Sequence, residues 1–407
     1  MRGYLRLLTR AVRSVLRKDP LEILAYYGYG NSVRAHVHGR VLEVRNVSLS
    51  TDSDSTFRNL LNTYRRAEAD PIPFARVKVE YGDSVCTMSA DDEGFFSGWV
   101  DLAKPLVTND EWNKYNVSLI SPLPGGGATV DVTGEVLLPP REARFGVISD
   151  IDDTVIQSRV SNFLQAARTV MLGNARTRLP FPGVAAFYRA LRDGASGDEK
   201  NPIYYVSSSP WNIFDVIAEF MEIQKIPRGP LLLRDWDIGW GLLSSSRHLE
   251  HKATPIRNIM KLLPDMKFIL IGDSSQHDPE IYRQIVAEFP ERVKAIYIRD
   301  VTLNPVRSAQ VKKLAEEVLA ADSVLVLSEH TLDAALHAAE RGWIKVESLA
   351  EIGEEKRADE GRDDSKAPAP AGGEPATGKP PVVIATQQRQ AAVAPEGEGE
   401  SRSADRK

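Results

Sequence analysis

The sequence predicts a two-part α/β protein: an N-terminal antiparallel β-sandwich followed by a Rossmann-like domain built on a parallel sheet. Three observations carry this. Apolar residues alternate with period two from about 31 to 140. From 145 onward, short wholly apolar runs alternate with helical stretches. The 407 residues are too many for one ordinary core, and 42% are hydrophobic, enough for two.

The first 18 residues, "MRGYLRLLTRAVRSVLRK", have helical periodicity. Leu5, Leu8, Val12 and Leu16 share one face, Arg2, Arg6, Arg10, Arg13 and Arg17 the other, and Pro20 ends the pattern. Two readings fit: a surface helix packed on the core, or a helix lying on an anionic membrane. We assign 1–30 to this helix and a linker. Strand-like segments follow in 31–140, including "VRAHVHGRV", "FARVKVEYG" and "TVDVTGEVLL", separated by Gly, Pro and Asp turns. His36 and His38 share a strand face and read as exposed residues. "ADDEG" at 90–94 reads as an acidic turn rather than a Ca²⁺ loop.

In 141–350, "FGVIS", "IYYVS", "LLLRD", "FILIG" and "AIYIR" have the apolar character of strands buried on both faces. Helices are expected at Val184–Leu191, Trp211–Gln224 and Pro255–Leu263, with a further strand and helix after "SVLVLS". Residues 351–407, rich in Ala, Pro, Gly and Glu, cannot bury a core and are expected to be a disordered tail. The net charge of −5 gives no general case for nucleic acid. A single cysteine, Cys86, rules out an intrachain disulfide and fits a reducing compartment. No apolar run reaches the roughly 18 residues of a membrane span, and the N-terminus lacks the apolar core of a secretory signal.

Ligands of open α/β sheets bind outside the carboxyl ends of the strands. The first run there ends in Asp150-Ile151-Asp152-Asp153-Thr154, the second in Ser207-Ser208-Ser209-Pro210, and the fourth in Gly272-Asp273 through His277-Asp278. Lys252 lies just before the helix leading into the fourth strand. Crowded carboxylates repel unless a cation is held among them, and a hard cation such as Mg²⁺ prefers oxygen ligands. A carboxylate nucleophile, a carboxyl acid/base, a hydroxyl and a lysine together form the inventory of phosphoryl transfer to an aspartate. Arg299-Asp300, after the fifth strand, reads as a salt-bridged strand end.

In order, "DIDDT", "YYVSSSP", Lys252 and "GDSSQHD" resemble the four motifs of the haloacid dehalogenase superfamily of phosphohydrolases. The longer strings "SDIDDTV", "RLPFPGVAAFYRAL", "YYVSSSPWN", "HKATPIRNIM" and "FILIGDSSQHDPEIYRQI" resemble the catalytic domain of actin-patch phosphatidate phosphatases, which is related to the lipins. The resemblance covers about 145–305. It implies a haloacid dehalogenase-type domain with a small cap at 155–183, and a Mg²⁺-dependent phosphatase. Asp150 would be the nucleophile and a Mg²⁺ ligand. Asp152 would be the acid/base, with its backbone carbonyl on the metal. Ser207 would bind phosphate and Lys252 would neutralise charge. Asp273 would ligate the metal and Asp278 would complete and orient the metal shell. Asp153 is expected in a turn or cap, and Thr154 supports the loop. The implied partners are a lipid phosphate substrate, phosphatidate above all, and an anionic membrane surface. The implied location is cytoplasmic and peripheral at the inner face of a membrane. A module that binds phosphatidate without turnover is the alternative; a nucleophile at Asp150 argues against it. Trp236 and Trp240 after the third strand read either as rim aromatics near lipid or as packing.

Overall fold

The structure is a computed structural model that describes residues 20–43, 69–123, 129–156, 180–234, 245–302, 304–320 and 323–364. The expected N-terminal helix, the small cap, Trp236, Trp240 and the end of the tail lie outside the described residues.

The first half is one nine-stranded sheet. Its strands are β1 (Leu21–Ala25), β2 (Gly28–Gly30), β3 (Arg34–Glu43), β4 (Asp70–Pro71), β5 (Arg76–Tyr81), β6 (Ser84–Ser89), β7 (Phe95–Asp101), β8 (Trp112–Ser121) and β9 (Asp131–Leu137). β3 pairs with β1, β2, β4 and β7, and the path continues from β2 through β9, β8 and β5 to β6. The expected wholly antiparallel pairing is corrected to a mixed one. β2 bonds β3 antiparallel on one side and β9 parallel on the other, joining what would have been separate layers. The sheet also begins earlier than expected, because "LEILAYYGYG" forms β1 and β2 rather than a linker. The inner faces of β3, β5, β7, β8 and β9 share one apolar cluster that includes Val37, Val79, Phe96, Val117 and Val136. At the acidic turn, Asp91 Oδ1 accepts the amides of Glu93 and Phe95, the ordinary turn that was expected.

The second half is a six-stranded parallel sheet. Its strands are β10 (Gly146–Ser149), β11 (Ile203–Pro210), β12 (Leu231–Arg234), β13 (Phe268–Asp273), β14 (Val293–Arg299) and β15 (Leu325–Ser328), in the order β12-β11-β10-β13-β14-β15. The helices are α1 (Val184–Asp193), α2 (Phe214–Ile223, after a 3₁₀ turn at Trp211–Ile213), α3 (Ser245–Leu262), α4 (Asp278–Glu288), α5 (Pro305–Ala320), α6 (Thr331–Glu340) and α7 (Ser348–Asp364). Alternate strand residues feed two clusters. Val147, Tyr205 and Ile269 pack under α1, α2 and α6, whereas Ile148, Tyr204 and Leu270 pack under α3, α4 and α5. Burial on both faces explains why these strands read as unbroken apolar runs.

Two boundaries differ from the sequence reading. α3 begins well before Pro255, which sits inside the helix, so Lys252 is a helical residue rather than part of a preceding loop. Proline removes one helical hydrogen bond but does not always end the helix. α7 runs past the expected tail boundary at 350. Ile352 is buried in the core, and Glu355 and Asp359 accept the amides of Ala186 and Gly183 at the start of α1.

The outer face of β3 is not exposed. His38 is buried against Tyr26 and Trp211, and His36 packs against Tyr29 and Trp99. This face docks on the α/β half. Tyr26 stacks on Trp211 and packs at a tilt against Phe214, with ring centroids 4.8 and 4.4 Å away. Tyr29 meets Tyr204 edge-on. Arg228 lies 4.1 Å from the ring centroids of Tyr27 and Trp112 and pairs with Glu135. Burial holds the His36 imidazole down to about 4, so the docked face carries no histidine charge near neutral pH. Truncating an aromatic ring buried on three others leaves a cavity. Tyr26→Ala is therefore expected to cost about 3–5 kcal/mol in denaturant unfolding. A cost below about 1 kcal/mol would show that the two halves do not unfold as one unit.

Candidate active site

The strand order reverses at β10, so the chain leaves β10 and β13 toward different parts of the sheet and opens a crevice between their carboxyl ends. The six sequence-predicted residues gather around this rim. Asp150 follows β10 directly and its amide donates to Ile271 O on β13 (2.9 Å), which fixes it against the neighbouring strand. The next residues turn sharply. Asp153 takes a left-handed conformation (φ 58°), tolerable for Asp, and its amide donates to Ile156 O. It is the turn residue expected.

Lys252, Asp150 and Asp278 form a buried cluster. Lys252 Nζ lies 2.6 Å from Asp150 Oδ1 and 2.7 Å from Asp278 Oδ1, and it donates to Gln276 Oε1 at 3.0 Å. The contact with Asp150 is an ion pair without hydrogen-bond alignment, so Oδ1 otherwise lacks a partner. Thr154 Oγ1 donates to Asp150 Oδ2 at 3.3 Å. Asp278 Oδ2 accepts the Asp273 amide (3.2 Å), so both Asp278 oxygens are already engaged. The backbone at Gly272 makes this possible. A Cβ there would fall 2.6–2.9 Å from the Asp278 side chain.

Asp273 is completely buried. Its Oδ1 accepts the Ser275 and Gln276 amides at 2.6 and 3.1 Å and the Ser275 hydroxyl at 2.5 Å. Its Oδ2 is buried with no partner. Burial, and then the neighbouring Asp278, push the Asp273 carboxyl up to about 6. Burial also raises Asp150 well above the usual carboxylate range, against the pull of Lys252. Lys252 is raised by Asp150 and Asp278, which outweigh its own desolvation. Two carboxylates therefore share one lysine, with a third, Asp273, beside them whose Oδ2 faces no donor.

Asp152 turns the other way. Its Oδ2 accepts Ser207 Oγ (2.7 Å) and Ser209 Oγ (3.0 Å), while Ser207 Oγ accepts the Ser209 amide (2.9 Å). Its backbone carbonyl accepts Gln276 Nε2 at 3.2 Å, and the same nitrogen reaches Asp150 Oδ2 at 3.5 Å. The Asp152 carbonyl and the Asp150 carboxylate therefore lie within reach of one atom.

The oxygens of Asp150, Asp273 and Asp278 approach within 4.8 Å of one another. All are hard donors, and the orphaned Asp273 Oδ2 is the atom a divalent cation would satisfy, so the residues fit Mg²⁺. Of the four residues expected on the metal, Asp150, Asp273 and Asp278 come together, while the Asp152 side chain turns to the serines; Asp278 also braces Lys252 and the Asp273 amide.

Gln276 and Arg307 had no assigned role in the sequence reading. Ser209, expected as the N-cap of a helix with Pro210 at N1, instead lies in β11, with Pro210 itself capping the 3₁₀ turn. Gln276 touches Lys252, Asp150 and the Asp152 carbonyl, and it sits inside the quoted "GDSSQHD" string. Ser209 shares Asp152 with Ser207, and the serine run was the signal for it. Arg307, in the first turn of α5, holds the loop by donating to the Ser274 and Gln276 carbonyls at 2.8 Å each, braced by Glu280. Nothing in its local sequence marks it.

Residues 145–300 match the family model described as "Phosphatidate phosphatase APP1, catalytic domain". The chain is 31% identical over 216 residues to phosphatidate phosphatase APP1 of Saccharomyces cerevisiae, covering 51% of this chain and 35% of that protein. It is 30% identical over 159 residues to an uncharacterized protein of Schizosaccharomyces pombe, covering 38% of this chain and 25% of that one. The segment 145–300 is thus an APP1-type phosphatidate phosphatase catalytic domain. The chain spans about a third or less of the length of these curated relatives. Among solved structures, a carbohydrate acetylesterase from Xanthomonas citri matches at 14% identity over 74% of each chain, with a TM-score of 0.24. The PilB minor pilin of Streptococcus sanguinis matches at 7% identity over 72% of this chain and 89% of that one, also at 0.24. Scores this low carry no argument about the fold.

Replacing Asp273 by Asn keeps an oxygen for the Ser275 and Gln276 amides but removes one of the crowded charges. In chelator, Asp273→Asn is expected to melt at or above the wild-type temperature. Added Mg²⁺ should raise the wild-type melting temperature and leave the variant unmoved. Equal Mg²⁺ shifts in the two proteins would remove Asp273 from the metal site.

Proposed function

We propose that the chain is a Mg²⁺-dependent phosphatase of the haloacid dehalogenase type. Its proposed reaction hydrolyses a phosphomonoester, phosphatidate to diacylglycerol, through an aspartyl-phosphate intermediate on Asp150. The observation that supports it most is the buried grouping of Asp150, Lys252, Asp278 and Asp273, one carboxylate oxygen of which lacks a partner. A binding module has no use for so costly a charge cluster.

Asp150 attacks phosphorus while the ester P–O bond breaks. Asp152, on the serine side of the rim, protonates the departing alcohol oxygen, then takes a proton from the water that hydrolyses the acyl phosphate. Ser207, which here donates to Asp152, has a hydroxyl that can rotate to a phosphate oxygen. The Ser209 amide already approaches Ser207 Oγ, so the loop's donors lie close together. Lys252 offsets the charge shared by the nucleophile and the incoming phosphate. Asp150, Asp273 and the Asp152 carbonyl would hold Mg²⁺, which when bound would neutralise charge on the phosphate oxygens.

Phosphatidate as substrate rests on the likeness of residues 145–300 to the APP1 catalytic domain. No helix among the described residues is long and apolar enough to cross a membrane. We infer a cytoplasmic enzyme that meets its lipid at the surface of the inner face, with the arginine-rich segment 1–18 as the contact.

Phosphate release should depend on Mg²⁺ and favour phosphatidate over lysophosphatidate, diacylglycerol pyrophosphate and soluble esters. Asp150→Asn should lower it by several orders of magnitude while substrate binding persists. Release that survives in this variant would sink the aspartyl-phosphate route. A preference for soluble esters would sink the lipid assignment alone.

A chain starting at Asp19 should co-sediment less with phosphatidate vesicles than the full chain. About 1 kcal/mol per arginine near an anionic surface is at stake. Equal co-sedimentation would move the membrane contact elsewhere.

A further inference from the structure

The Gln276 side chain faces both kinds of charge at the rim. Its Oε1 accepts Lys252 Nζ at 3.0 Å. Its Nε2 donates to the Asp152 carbonyl at 3.2 Å and reaches Asp150 Oδ2 at 3.5 Å. The carboxamide therefore turns its donor end to two oxygens and its acceptor end to the ammonium.

The two ligands of the proposed reaction would need these same atoms. The Asp152 carbonyl and the Asp150 carboxylate are oxygens that would hold Mg²⁺, at about 2.1 Å. An N–H aimed at that carbonyl competes with the cation for it. Lys252 would meet the phosphate, and an ammonium has three N–H donors. Asp278 and Gln276 accept two of them, and Asp150 lies in ion-pair contact. A phosphate oxygen gains an aligned donor where Gln276 Oε1 withdraws. One carboxamide thus covers the metal position with its N–H and the phosphate position with its carbonyl.

The backbone of Gln276 is fixed, so withdrawal falls to the side chain. Its amide donates to Asp273 Oδ1 at 3.1 Å, and Arg307 Nη2 donates to its carbonyl at 2.8 Å. Arg307 also holds the Ser274 carbonyl and is itself paired with Glu280. Asp300 was expected to pair with Arg299. It instead accepts Ser274 Oγ at 2.9 Å and Ser308 Oγ at 2.6 Å, while Arg299 donates to Thr331 Oγ1. The stretch 273–276 is pinned from α5 and from the end of β14. Gln276 itself is only partly buried, and Ser275 and His277 on either side are exposed. Rotation about the side-chain torsions therefore carries the carboxamide toward solvent without moving the backbone.

We propose that Gln276 is a placeholder for the metal and the phosphate. Its carboxamide bridges the Asp152 carbonyl and Lys252 while both ligands are away, and swings outward when they bind. The proposal rests on the phosphatase reading for the identity of the two ligands. It gives Gln276 a positioning role with a definite sign. Removing a placeholder tightens Mg²⁺ binding, whereas removing an ordinary brace loosens it.

The test is calorimetric titration of Mg²⁺ into the metal-stripped full chain, wild type against Gln276→Ala. The substitution removes the carboxamide and keeps the backbone bonds to Asp273 and Arg307. Gln276→Ala should bind Mg²⁺ about fivefold more tightly, the factor that one ordinary hydrogen bond represents. In chelator it should melt below wild type, and at saturating Mg²⁺ the two should melt together, because the lost contacts are ones the loaded protein does not make. If Gln276→Ala does not fold, wild-type crystals grown with and without Mg²⁺ decide. Gln276 Nε2 should lie on the Asp152 carbonyl in the Mg²⁺-free crystals alone. Unchanged or weaker Mg²⁺ binding by the variant, or a Gln276–Asp152 contact that survives in the Mg²⁺-bound crystals, would overturn the proposal. Absence of Mg²⁺ binding by wild type would overturn it together with the metal site. Tightening without Mg²⁺-dependent phosphate release by wild type would uphold the placeholder and count against the phosphatase alone.

Discussion

The constraint on which this site depends is the sharing of one buried ammonium by two buried carboxylates. Lys252 comes from α3, Asp150 from the end of β10 and Asp278 from the start of α4, so the 2.6 and 2.7 Å ion pairs tie three elements to one point. Desolvating an ion pair costs several kcal/mol per ion, and the mutual attraction repays it only with good geometry and further hydrogen bonds. The extra bonds are present: Gln276 on Lys252, Thr154 on Asp150, and the Asp273 amide on Asp278. What is missing is a partner for the remaining negative charge, on Asp273. Adding hydrophobic residues would have made a more stable rim. Three acids around one base leave a net negative charge that a hard cation would offset.

The N-terminal sheet supports this arrangement from outside. Tyr26 packs on Trp211 and Phe214, at the start of the turn and helix that follow Ser207–Ser209 at the end of β11. That strand end carries the hydroxyls bonded to Asp152. The sheet therefore packs on the element that continues from one wall of the crevice, while Asn31 Nδ2 bonds the carbonyl of Leu262 at the end of α3, the helix bearing Lys252. Both contacts restrain elements whose far ends reach the rim. The sheet contributes rigidity to the site without contributing a functional group to it.

Much of this was legible in the sequence. The change of apolar pattern from alternating to continuous marks where a half-buried sheet gives way to one covered on both faces, and the strand ends carried every acid of the site. The parts that escaped the sequence share a physical cause: they depend on contacts between distant segments. His36 and His38 alternate as solvent-facing residues do, yet Tyr29 and Trp99 pack on His36 and Trp211 from the second half packs on His38. The parallel pairing of β2 with β9 joins residues about a hundred positions apart and leaves no local pattern. Pro255 looks like a helix start, but packing carries α3 through it, which places Lys252 on a rigid helix instead of a loop. α7 has the charged composition of a tail, but Ile352 and the carboxylates of Glu355 and Asp359 anchor it on α1.

Charge is sorted across a single side chain. On one side of Thr154 lie three buried carboxylates and one lysine, an excess of negative charge with Asp273 Oδ2 unpartnered. On the other lies Arg299, whose buried Nε has no hydrogen-bond partner among the described residues, beside an α6 start whose first turn carries Asp333. Asp273 and Arg299 are register partners on β13 and β14, yet their side chains do not pair. At the low effective dielectric of a buried site, two opposite charges on adjacent strands would gain several kcal/mol by closing on each other. They stay apart because each is held by its own neighbours, Asp273 by the Ser275 and Gln276 amides and Arg299 by Thr331 and Phe181. Keeping Arg299 off Asp273 leaves Asp273 Oδ2 open on the rim side, where a hard cation would satisfy it.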